Sequence, residues 1–169
     1  NYLVIVQNNA EWRSLGGNPG AMVLIHTDDG AMTLTEQDSS TGFDYSPSSI
    51  VPLDEGMLAV TGENPGRWFQ NVTEATDFSV AAQLAKEFWT QKHGGDLDGV
   101  ISIDPVALSY LLDATGPVTL PTGQVLTADN AAQQLLNQVY IDYPPEMHDA
   151  FFAGAAAAVF EAVSSGAAQ

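Results

Sequence analysis

The hydrophobic period of the chain changes near residue 78, and that change limits the fold more than any other feature. Before it, apolar and β-branched residues come in short runs. Residues 2–6 (YLVIV) form an unbroken run, the pattern of a strand covered on both faces. Residues 21–27 (AMVLIHT) and 31–36 (AMTLTE) flank Asp28-Asp29-Gly30, and Asp-Gly between two such runs predicts a hairpin. Residues 38–52 are rich in Ser, Thr, Gly and Pro and read as a loop, and residues 57–60 read as a weak fourth strand.

After residue 78 the period becomes helical. Phe78, Ala81, Ala82, Ala85, Phe88 and Trp89 fall on one helix face, started by Asp77 or Ser79 and stopped by Gly94-Gly95. Residues 99–103 (GVISI) form a strand, and Asp104-Pro105 then caps and opens a helix that ends at Gly116-Pro117. The short extended VTL that follows makes a βαβ-like unit. Two more helices are expected at 127–140 and 145–163. In the last, Met147, Phe151, Ala155, Ala158, Val159 and Ala162 share a face. Strands alternating with helices predict an α/β domain, layered α-β-α with a mixed sheet. The 169 residues suit one domain spanning 1–169, and 45% hydrophobic content suffices for its core. The repeated Asn-Pro-Gly, at 18–20 and 64–66, reads as two turns.

Four basic against 21 acidic residues leave a net charge of −17. Such a field repels phosphate backbones and anionic lipid surfaces, which argues against a nucleic-acid partner. It fits a solvated acidic surface, or recruitment of divalent cations or a basic partner. The chain has no Cys, so disulfides, thiolate metal sites and Cys nucleophiles are excluded. The stretch AGAAAAVF is far short of the ~20 residues that span a bilayer. The chain opens on Asn1 directly before a strand, with no leader, and reads as a domain cut from a longer protein whose upstream anchor lies outside it.

With so few cations, each is informative. Arg13 stands in QNNAEWRSLGGNPG, after the first strand and among Gly16, Gly17 and Gly20. Ligands of open α/β sheets collect beyond strand ends, where glycines let backbone N–H groups approach and a guanidinium can bind an anion. The competing reading pairs Arg13 with Glu11 or another carboxylate and stacks it on Trp12. Arg67, in NPGRWFQN, has the same look, and the two arginines facing one cleft would make an anion clamp. His26 suits a structural role in a strand, His93 the C-terminus of a helix, and His148 lies beside Glu146 and Asp149. No HExxH or His pair at i, i+4 suggests zinc, and no EF-hand spacing supports Asp28, Asp29, Asp38 and Asp44 as a calcium site. No GxSxG elbow or nucleotide-binding glycine fingerprint occurs. Asn71-Val72-Thr73 matches a glycosylation sequon, a frequent chance match.

Two stretches, QNNAEWRSLGG with its following strand and DDG, and DGVISIDPVALSYLLDATGPVTLPTGQVLTADNA, together resemble a bacterial domain of unknown function (number four thousand and twelve), of actinobacterial type. The resemblance spans nearly the whole chain. It implies a domain on the extracytoplasmic face of the cell membrane, anchored in the full-length protein. The order of elements is also distantly similar to the LytR-CpsA-Psr domain, which transfers glycopolymers from a polyprenyl-pyrophosphate carrier. By that likeness Arg13 matches a pyrophosphate-binding arginine. The departures are substantial. Pro19-Gly20 stand where that family has Ser-Asp, Glu36-Gln37-Asp38 where it has Pro-Arg-Asp, and LLNQVYIDYPPEMHDAFF replaces its arginine-rich helix. A pyrophosphate needs several cations or a metal to hold it.

The favoured expectation is therefore a domain without catalytic activity or cofactor. It binds a cell-wall glycan or an envelope protein through Asn8, Asn9, Glu11 and Arg13, with Trp12, Trp68 and Phe69 offering flat faces to sugar rings. Its alternative is a divergent phospho-glycopolymer transferase using Arg13, Arg67 and Asp38 with Mg²⁺.

Overall fold

The computed structural model describes residues 1–165. Its middle layer is a four-stranded sheet of order β3-β2-β1-β4, built from β1 (Tyr2–Arg13), β2 (Gly16–Asp28), β3 (Ala31–Ser39) and β4 (Gly99–Ile103). The first three strands form an antiparallel meander, and β4 joins β1 in parallel, so the sheet is mixed. The β2–β3 hairpin turns at Asp29 and Gly30, with φ of 46° and 85°. Both lie in the left-handed region that a two-residue hairpin turn requires, and that Asp-Gly supplies at low cost.

Alternation along β1 divides its residues between two faces. Leu3 and Ile5, with Met22 of β2, pack against Leu84, Phe88 and Trp89 of a long helix, joined by Phe43 and Phe69 from the connecting segments. That segment contains two short helices, α1 (Glu55–Thr61) and α2 (Asn64–Arg67); the long helix is α3 (Phe78–His93), capped by Asp77, whose side chain accepts from the Ser79 N–H. The other sheet face carries Val4 and Val23 and lies under a second helical layer. This layer holds α4 (Pro105–Thr115), a separate two-stranded sheet of β5 (Val118–Thr119) and β6 (Val125–Leu126), then α5 (Ala131–Gln133), a π-helical segment (Gln134–Gln138), α6 (Val139–Asp142) and α7 (His148–Ser164). Leu108, Leu112, Leu126, Leu135, Phe151 and Val159 belong to its own core cluster, which contains no residue of the large sheet. The α-β-α layering expected from the alternation of strands and helices is present.

Several local expectations are corrected. Residues 57–60 are helical in α1, because Asp54 accepts from the Met57 N–H at 2.9 Å and starts a helix there. The VTL segment pairs with β6 instead of returning to the main sheet, so β4 and α4 do not form a βαβ crossover. The glycine-rich stretch after residue 6 is no loop: β1 continues to Arg13, turns at Ser14-Leu15, and β2 begins at Gly16. The first Asn-Pro-Gly lies inside β2, with Pro19 opposite Gln7 where the register shifts, a position where a strand tolerates a missing N–H. The second lies in α2. The helix expected at 127–140 starts only at Ala131, after a turn in which the Asn130 side chain accepts from the Thr127 N–H.

Candidate functional site

The site grows from two places where the chain carries extra residues. In β1, Asn8 pairs with Asn18 and Trp12 pairs with Gly17, so Asn9, Ala10 and Glu11 have no counterparts in β2. Such a bulge redirects side chains and is common beside binding sites. It is held by buried Gln7, 5% exposed, whose Oε1 accepts from the Gly17 N–H at 2.6 Å and whose Nε2 donates to Ser102 Oγ at 2.6 Å. Gly17 is required here, since a Cβ would collide with the Asn8 carbonyl. Gly16 and Gly17 thus close the bulge, while Gly20 lines the cavity described below. Facing the bulge is the π-helical segment, whose wider turn carries Tyr140 round to meet it.

Asn8 Nδ2 donates to Tyr140 Oη at 3.0 Å and to Glu11 Oε1 at 3.3 Å, while Asn18 Nδ2 donates to Glu11 Oε2 at 3.1 Å. Burial first, and then the Glu11 carboxylate, raise the Tyr140 pKa above its ordinary value, against the lowering hydrogen bond from Asn8. The phenol therefore keeps its proton and remains available as a donor. His148 meets Tyr140 edge-on, with 4.9 Å between centroids, and its Nε2 lies 2.9 Å from the Tyr143 carbonyl. A carbonyl only accepts, so Nε2 carries a hydrogen and donates to it.

These groups line a cavity of about 490 Å³, just past the point where the parallel pairing of β1 and β4 ends at Val6 and Ile103. Crevices beyond the carboxyl ends of parallel strands are where α/β sheets gather ligands. Its wall mixes amides (Gln7, Asn8, Asn18), carboxylates (Glu11, Glu146, Asp149) and apolar carbon (Phe152). Ser40 also lines it and is 6% exposed. Oδ1 of Asn18 is buried and unpaired. No Lys or Arg lines the cavity among the described residues.

Of the six residues singled out in the sequence, the fold brings Asn8 and Glu11 to this cavity. Asn9 lies beside it and donates to Asp104 Oδ2 at 3.1 Å, tying the bulge to the cap of α4. Arg13 sits at the β1–β2 turn, its Nε 3.7 Å from Glu74 and its Nη1 donating to the Trp12 carbonyl. The carboxylate beside it is Glu74, not Glu11. Arg67 donates to the Ser46 carbonyl and lies over the Tyr45 ring. Asp38 lines a different cavity and is bound by Lys92 and His93. Of the three aromatics, Trp12 is 86% exposed beside Glu11, while Phe69 is 1% exposed and stacked on Phe43, so it has no face to offer.

The surroundings of Asp38 do not fit Mg²⁺, which takes oxygen ligands. Its Oδ2 faces Lys92 Nζ and His93 Nε2, and its Oδ1 accepts from the Ser39 N–H. Burial works to raise the Asp38 pKa, but Lys92, His93 and that N–H together hold it below the usual carboxylate value. Tyr140 and Asn18 gave no signal in the sequence, since a π segment and a bulge decide their placement and neither shows in hydrophobic period; Ser40 reaches the cavity from the Ser40–Gly42 turn after β3.

The mixed sheet between helical layers, with a polar cavity beyond its parallel pair, defines a layered α/β domain of the cavity-bearing kind. The chain belongs to the family described as Protein of unknown function (DUF4012), which it matches over residues 1–140. No curated protein and no solved structure matches it. The matched span carries the whole sheet and Tyr140 and ends before α7, whose first residues complete the cavity wall.

Proposed function

We propose that this domain is a glycan-binding module of the bacterial cell envelope, held outside the cytoplasm by an anchor elsewhere in its full-length protein. The envelope setting rests on the resemblance of QNNAEWRSLGG and DGVISIDP to membrane-anchored family members. The observation that carries the binding reading is the cavity wall. Amides, carboxylates and a protonated phenol, joined in the chain Asn18–Glu11–Asn8–Tyr140, present donors and acceptors without a cation. That pattern suits the hydroxyls of a neutral sugar. Trp12, next to Glu11 in the chain and exposed, offers a ring face to a sugar.

The phospho-glycopolymer transferase reading finds no support in this geometry, because Arg13, Arg67 and Asp38 are each engaged at separate places. A thermal-shift series with wall-derived oligosaccharides, simple disaccharides, and pyrophosphate with Mg²⁺ tests the assignment. A ligand at 100 times its Kd stabilises by about 2.7 kcal/mol. A saccharide should raise the melting temperature of the native chain and not that of Tyr140→Phe. A shift with pyrophosphate and Mg²⁺, and none with any saccharide, would reverse the conclusion.

A further inference from the structure

Between the sheet and the second helical layer lies a second cavity, of about 220 Å³, and every described residue lining it is apolar. Its floor is the sheet face of Val4, Val23 and Ile101, and its roof is Leu108 of α4 with Ala156 and Val159 of α7. The space has a visible cause. Val4 and Val23 are buried yet belong to neither large core cluster, because α7 places Ala155 and Ala156 where larger side chains would fill the gap. Protein interiors are ordinarily close-packed, and a cleft lined by hydrocarbon that stays open to solvent gains from covering by an apolar guest.

This apolar cleft is continuous with the polar cavity. Val6, Ala21, Leu135 and Phe152 line both. A single molecule reaching across that border needs a hydrocarbon part and a hydroxylated part. The hydrocarbon part must be slim, since it lies between two packed layers, and a partner helix about 10 Å across would not enter. The head must tolerate Glu11, Glu146 and Asp149 with no Lys or Arg facing it among the described residues. A phosphate or carboxylate head would be repelled there. A chain with net charge −17 adds to that repulsion.

We infer that the ligand is a neutral glycolipid: an aliphatic chain in the apolar cleft between the sheet and α7, its uncharged glycosyl head in the polar cavity. The inference rests on the glycan reading for the head and adds the chain. Burying one methylene contributes about 0.8 kcal/mol, so each added methylene should tighten binding about fourfold until the cleft is full.

Calorimetric titration of the chain with maltose, then octyl, decyl and dodecyl maltoside below their micelle concentrations, tests this, with dodecyl phosphate as the anionic control. Affinity should rise roughly fifteenfold from octyl to decyl, and dodecyl phosphate should bind at least tenfold more weakly than dodecyl maltoside. Ala156→Phe, which fills the roof, and Met32→Trp, which narrows the exposed end of the cleft, should each flatten the chain-length series and leave maltose binding unchanged. Maltose binding with no dependence on chain length would overturn the inference and leave the glycan reading standing. Equal binding of dodecyl phosphate, or a chain-length series unchanged in both variants, would overturn it as well. A chain-length series that both variants flatten, with no binding of maltose and no effect of Tyr140→Phe on the maltosides, would support the cleft assignment and sink the glycan reading alone.

Discussion

The ring of His93 lies flat on that of Trp89, 4.1 Å between centroids and 17° between planes, in the last turn of α3. That stacking holds the imidazole edge-on to β3, with Nδ1 2.5 Å from Glu36 and Nε2 2.8 Å from Asp38. Lys92 reaches Asp38 from the same turn. The Asp38 carboxyl is held below its ordinary pKa: burial opposes this, and Lys92, His93 and the Ser39 N–H outweigh it. A depressed carboxylate stabilises the fold fully above its unfolded pKa of about 3.9, and that contribution is lost as the pH falls through the lower folded value. Urea midpoints of the native chain and Asp38→Asn should therefore differ at pH 7 and converge towards pH 3. An equal gap at both pH values would remove the link to ionisation.

Tyr140 gives a second pH signature, of opposite sign. Burial and then Glu11 raise its pKa, so in an ultraviolet titration of the five tyrosines one phenol should ionise later than an exposed tyrosine. Glu11→Gln should bring that ionisation partly back, and the part that burial causes should remain. No change on removing Glu11 would show that the carboxylate does not face the phenol.

The π segment is one residue wider per turn than an α-helix, and it sets the direction of Tyr140. Deleting Asn137 should convert it to α-helix and rotate Tyr140 by about 100° from the cavity. Saccharide affinity should fall at least tenfold while the far-ultraviolet helical signal stays constant. Retained affinity would mean that Tyr140 is not a ligand contact.

Arg13→Ala tests whether the arginine serves structure or ligand. Its partner Glu74 is partly exposed and 3.7 Å away, so the ion pair contributes about 1 kcal/mol or less. The variant should lose no more than that in urea unfolding and bind saccharides as the native chain does. A tenfold loss of affinity at unchanged stability would return Arg13 to the binding site.

Much of the architecture was legible in local chemistry. Asp28-Asp29-Gly30 announced its hairpin, and Asp77 and Asp104 announced the helices they cap, because turns and caps depend on a few adjacent residues. The α-β-α layering followed from the alternation of elements. What eluded the sequence was decided at long range. Asn8 was singled out as a candidate, yet its hydrogen bond to Tyr140 spans 132 residues. Arg13 drew attention as a rare cation after a strand, but Glu74, sixty-one positions on, is brought beside it by packing of the 69–74 turn. Residues 57–60 (MLAV) are an all-apolar run too short to distinguish a period of two from one of 3.6, and Asp54 decided the matter.

The two large core clusters of this domain share no side chain, and only the one built on α3 includes residues of the main sheet, an arrangement that bears on how it comes apart. The body built on α3 and the one built on α4 and α7 are separately cohesive, so amide hydrogens in α7 should exchange with solvent through a partial opening that leaves Leu3 and Ile5 protected. A guest seated between them would act as mortar. Its presence would turn two loosely coupled melting events into one sharper transition.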